Sequence, residues 1–126
     1  MIHDKDYMMR MVRQLSEFLS RMLLGKNEGK PSEEQPVFDT QIKDIFNKNF
    51  DELSAMGASD IMAWVESHES AQHVAYYELL GHLFYYRFKE TRTRDHAKKA
   101  RIFYELWQEK GQVFSIPLIA RLEELK

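Results

Sequence analysis

The sequence predicts an all-α fold, a compact helical domain of about five to six helices. Three observations carry that prediction. Apolar residues recur at spacings of three and four along most of the chain. No segment shows strand alternation, since Val113-Phe114 is too short to form one. Gly25, Met56-Gly57 and Gly111 fall between the periodic stretches, where helices are expected to stop. The 126 residues suit one domain, 1–126, and 44% apolar content is enough for a single modest core.

The first helix is expected over residues 5–24. Met8, Met11, Leu15, Phe18 and Met22 form a heptad-like seam, widened by Val12, Leu19 and Leu23. Arg10, Arg13, Glu17 and Arg21 take the other side, Asp4 or Asp6 is placed to cap it, and Gly25 to end it. Residues 26–37 hold Gly29, Pro31, Ser32, Glu33, Glu34 and Pro36 and read as a loop or linker. That loop leaves the first helix free to pack on its own chain or to pair with a copy.

A second helix is expected over 40–53, capped by Asp39, with Ile42, Ile45, Phe46, Phe50 and Leu53 on one face. A short helix over 60–66, capped by Ser59, presents Ile61, Trp64 and Val65. Residues 70–89 are apolar around most of the circumference, as in a central helix contacted on several sides. A further helix spans 93–110, capped by Thr93 and stopped by Gly111. The last begins at Ser115, tolerates Pro117 in its first turn, and presents Leu118, Ile119, Leu122 and Leu125.

Within the C-terminal half, Tyr77, Leu80, Gly81 and Phe84 fall at i, i+3, i+4 and i+7, and Ala97, Ala100, Tyr104 and Trp107 offer small and aromatic residues on a facing helix. The Leu80-Gly81 pair with its flanking aromatics resembles the first helix of a tetratricopeptide repeat. The hairpin is longer than that repeat, Trp107 stands where the repeat prefers alanine, and Pro117 lies too late. One unit cannot make a solenoid, which needs about three. The layout, opening on Asp6-Tyr7-Met8-Met9-Arg10-Met11 and closing on Val113-Phe114-Ser115 and a short helix, resembles an uncharacterised bacterial family of small all-helical proteins. That resemblance implies a fold and self-association, with no activity attached.

Charge is unevenly distributed. Residues 27–86 carry eleven acidic groups against three lysines, and residues 87–101 carry seven cations against two acids. The two blocks attract each other across the fold or between chains. Alternatively, Arg92, Arg94, Lys98, Lys99 and Arg101 form a polyanion site at a helix start, with Tyr85 and Tyr86 as stacking surfaces for bases. The acidic remainder opposes long-range attraction of nucleic acid.

No chemical motif emerges. The chain has no cysteine, so disulfides and thiolate chemistry are out. His68-Glu69 and His73 mimic a zinc-protease motif, but an i, i+5 spacing sets the histidines about 140° apart on a helix. Glu69 with His73, and Glu78 with His82, share faces as ordinary hydrogen-bonded pairs. No nucleophile elbow or phosphate loop is present. The expectation is no metal, no cofactor and no catalytic residue. Charges among the first residues exclude a typical secretory signal, and no apolar run approaches the ~18 residues of a membrane span. A soluble, cytoplasmic protein is expected.

The functional reading is a non-catalytic protein–protein interaction module that self-associates. Met8, Met11, Leu15, Phe18 and Met22 are the expected oligomer contact. Tyr76, Tyr85, Tyr86 and Arg87 are the expected partner-facing groups, because aromatics with arginine favour binding hot spots. The alternative is nucleic-acid or polyanion binding through 87–101.

Overall fold

A computed structural model describes the backbone of residues 2–25 and 31–126, and the side chains of residues 6–25 and 38–126. Among the described residues the fold is all-α, with seven helices: α1 (Ile2–Leu23), α2 (Pro31–Phe46), α3 (Phe50–Ala55), α4 (Ala58–Glu66), α5 (Ser70–Thr91), α6 (Arg94–Gly111) and α7 (Ile116–Glu124). The centre is α5, which packs against α6, α1 and α4. Its residues from Leu79 to Tyr85 are all buried, which explains why its sequence shows no polar face. One core cluster draws side chains from every helix, among them Leu15, Ile42, Phe50, Ile61, Phe84, Phe103 and Leu118.

Several expected boundaries move, each for a local reason. The expected helix over 40–53 is two helices. Asn47 adopts φ +59°, a left-handed conformation that asparagine tolerates, and this ends α2. Asn49 then caps α3 with a reciprocal box: its side chain accepts from Glu52 N at 2.8 Å, and Glu52 Oε1 accepts from Asn49 N at 3.0 Å. Helix α2 starts at Pro31, a residue whose missing N–H costs nothing in a first turn. Residues 31–37 are therefore helical, Asp39 lies inside α2 instead of capping it, and residues 26–30 of the expected loop lie outside the described residues. Helix α1 begins at Ile2, so Asp4 and Asp6 lie inside the helix and not at its N-cap position. Gly57 replaces Ser59 as the residue before α4.

Glycine settles two further points. Gly111 is the last residue of α6, and Gln112 takes the left-handed position at φ +53°. A Cβ at Gly111 would stand 3.0 Å from Val74 Cγ1 and 3.2 Å from Val113 Cγ2, so close approach to α5 explains this glycine. At Gly81 a Cβ would lie 2.7 Å from Tyr104 Cε1 and 3.1 Å from Cγ. The ring of Tyr104 occupies the space that a side chain on α5 would fill, and this sets how closely α5 and α6 pack. Ser115 caps α7, accepting from Leu118 N at 3.2 Å, with Pro117 in the first turn as expected.

Candidate functional site

The seam of α1 faces its own chain. Leu15 is completely buried, while Met8, Met11, Phe18 and Met22 are half-buried. Met8, Met11 and Phe18 pack against the core that α1 shares with α5. The α5 residues expected to face a partner are also engaged internally. Tyr76 is 2% exposed, with its ring edge-on to Trp64 at 5.1 Å, and Tyr85 is 6% exposed. Tyr86 is half-buried against Phe38 at 5.7 Å. The Arg87 guanidinium lies 4.6 Å from the Phe50 ring centroid and 3.3 Å from Glu90. Burial on three sides of α5 accounts for its aromatic surplus.

The histidines hold backbone and neighbours. His68 falls between α4 and α5, donating from Nδ1 to Trp64 O at 2.9 Å, and His73 donates from Nε2 to His68 O at 2.8 Å. Among the described residues no three His, Asp or Glu side chains stand close enough to hold a metal. Ser54 Oγ lies 3.2 Å from His96 Nε2, and His96 Nδ1 lies 3.1 Å from Thr91 Oγ1. The Thr91 hydroxyl donates to Arg87 O, which leaves His96 Nδ1–H as donor to Thr91 and Nε2 as acceptor from Ser54. A neutral hydroxyl behind the imidazole supplies no charge to stabilise an imidazolium, as a catalytic carboxylate does. These contacts tie α3 to α6.

A buried polar network joins α5, α6 and α7. Tyr104 OH is 2.8 Å from His82 Nδ1 and accepts from Arg121 Nη1 at 3.2 Å. Arg121 Nη1 also lies 3.4 Å from His82 Nδ1, and a guanidinium only donates. His82 Nδ1 is therefore an acceptor, the Tyr104 hydroxyl donates a hydrogen bond to it, and the imidazole is neutral with hydrogen on Nε2. That nitrogen faces Glu78 Oε2 at 3.5 Å. Burial drives the His82 pKa down; Glu78 opposes this and the Arg121 charge assists it. Burial likewise pushes the Tyr104 hydroxyl up, against the pull of Arg121. Arg121 is buried with no ion-pair partner among the described residues, and its charge rests on the Tyr85 and Tyr104 rings at 5.4 and 5.9 Å. His82 is 1% exposed, so no substrate reaches this group. Its sequence signal is Arg121 itself, an arginine at i+3 from Leu118 and i−4 from Leu125 on the buried face of α7. Ile119, expected on that face, points outward.

Beside this network the expected polyanion residues separate. Arg92, Arg94, Lys98 and Arg101 line one groove of about 370 Å³, together with Lys126, Glu124 and an apolar floor of Phe88, Ala97 and Leu125. Lys99 is not among them. It is turned inward, donating to Ser54 O at 2.5 Å and to Asp95 at 2.8 Å. Residues 98 and 99 are about 100° apart around the helix, so consecutive lysines cannot serve one face. Glu124 is already engaged, accepting from Tyr85 OH and from Lys89 Nζ at 2.8 Å, with Arg92 at 3.6 Å. Burial and Glu124 together raise the Tyr85 hydroxyl to about 12.

Three large apolar residues remain outside the core at the α6–α7 corner. Phe114 is 74%, Ile116 84% and Ile119 51% exposed. Ile116 and Ile119 are three apart on one face of α7. Among the described residues no helix is long and apolar enough to cross a membrane. No family model, curated protein or solved structure matches the chain.

Proposed function

We propose that this chain is a non-catalytic protein–protein interaction module that self-associates, and that its contact surface is the α6–α7 corner. The observation that carries the reading is the clustering of Phe114, Ile116 and Ile119 at one corner, since among the described residues the other exposed large apolar side chains are Tyr7 and Leu24, both less exposed than Phe114 and Ile116. Full burial of each such side chain is worth roughly 1.5–3 kcal/mol, and in a two-fold dimer the same patch is buried twice. The seam of α1 is the weaker candidate, because it faces its own core. The reading retains the tetratricopeptide-like character of the α5–α6 hairpin, kinship with small bacterial helical proteins, and a cytoplasmic location, which suits a chain without cysteine.

Sedimentation velocity tests the proposal. The expected result is a species of two 15.1 kDa chains that Ile116→Glu or Phe114→Asp converts to monomer without loss of helical signal. A monomeric wild type, or variants that keep the wild-type mass, would refute it.

A further inference from the structure

The geometry points to the groove between the end of α5, the start of α6 and the end of α7 as a binding site for a compact polyphosphate, a linked pair or trio of phosphoryl groups. Five cationic side chains and one carboxylate line it. The carboxylate, Glu124, already has Lys89, Arg92 and the Tyr85 hydroxyl as partners. Arg101 is 3.4 Å from Glu105, and Lys126 2.9 Å from Glu123, both contacts between exposed side chains and easily exchanged. Arg94 and Lys98 form no ion pair with any described side chain. They stand four residues apart on α6, with Arg101 three further on, so the three cations share the face that borders the groove.

Like charges held this close repel one another, and a multivalent anion relieves that repulsion. Arginine adds a planar donor fork suited to phosphate oxygens. The floor of Phe88, Ala97 and Leu125 keeps part of the site apolar, which strengthens the ionic contacts above it and offers a surface to a base or sugar. Size favours a small ligand, since about 370 Å³ lies near the lower end of ligand pockets. Charge does too. A long strand leaving the groove meets residues 27–86, where eleven acidic groups stand against three lysines.

Isothermal titration of the intact protein at low salt, with inorganic tripolyphosphate and with a nucleoside triphosphate as separate probes, tests the site. Saturable binding of tripolyphosphate is expected, weakened about tenfold or more by Arg94→Glu and by Lys98→Glu, as loss of one charge-assisted hydrogen bond implies. Both residues are exposed, so the variants keep their fold, and Lys110→Glu, exposed at the far end of α6, leaves affinity unchanged. Tighter binding of the nucleoside form assigns the apolar floor to the base or sugar; equal affinity assigns recognition to the phosphates alone. Absence of binding, or equal affinity in both groove variants and the wild type, overturns the inference. So does a single-stranded oligonucleotide that binds while tripolyphosphate neither binds nor competes.

Discussion

Gly81→Ala puts the packing of α5 on α6 to a direct test. On an exposed helix this change stabilises by roughly 0.5–1 kcal/mol, because alanine loses less backbone freedom on folding than glycine. Here the added methyl would stand 2.7 Å from Tyr104 Cε1, against about 3.5–4.0 Å for comfortable carbon contact. The ring must retreat by about 1 Å. It has little room to do so, being fully buried and fixed through its hydroxyl to His82 at 2.8 Å and to Arg121 at 3.2 Å. Overpacking costs roughly 1–3 kcal/mol, and weakening a buried polar contact adds roughly 1–3 kcal/mol. The net expectation is a loss of roughly 2–4 kcal/mol and a melting temperature lower by on the order of 10 °C. Thermal and urea denaturation followed by circular dichroism measures it. Gly57→Ala is the control, since a Cβ there meets nothing nearer than Asp60 Oδ2 at 3.9 Å, and it should cost no more than about 1 kcal/mol. In a Tyr104→Leu background the penalty of Gly81→Ala should shrink, which isolates the pair. A Gly81→Ala protein that melts at or above the wild type would show that helix propensity prevails and that the helices do not approach so closely.

Tyr104→Phe keeps the ring but removes the hydroxyl between His82 and Arg121, and should cost about 1–3 kcal/mol as a lowered urea midpoint; an unchanged midpoint would separate the network from stability. His82 sets a pH dependence of definite sign. Its folded pKa lies below the unfolded value of 6.5, so the unfolded chain binds more protons and stability rises with pH. The contribution is complete above 6.5 and drains away as pH falls through the folded value, with partly buried His96 acting in the same direction. Melting temperature should drop on acidification, and His82→Gln should flatten that slope; parallel wild-type and variant curves would assign the dependence elsewhere.

Much of the fold was legible because helices declare themselves through spacing. The stripes of α1, α5 and α6 and the Ser115 cap before Pro117 need only local chemistry, and they lie where expected. The break at 47–49 was less legible, since an unbroken apolar stripe from Ile42 to Leu53 masks two asparagines with turn and cap roles. Of the expected polyanion residues, four gather at one groove and Lys99 does not, because a helix divides neighbouring residues between faces.

Local pattern alone fixes the all-α class, the central place of α5 and the clustering of positive charge over residues 87–101. Each follows from periodicity or composition, which act within a few residues. Which apolar and polar groups are left over depends on how the helices assemble. That assembly buries Tyr76 and Tyr85, turns Ile116 and Ile119 outward, and brings His82, Tyr104 and Arg121 together from three helices. Burial depends on neighbours supplied by distant segments. A tyrosine on α5 and an isoleucine on α7 become core or surface only when the other helices have taken their places.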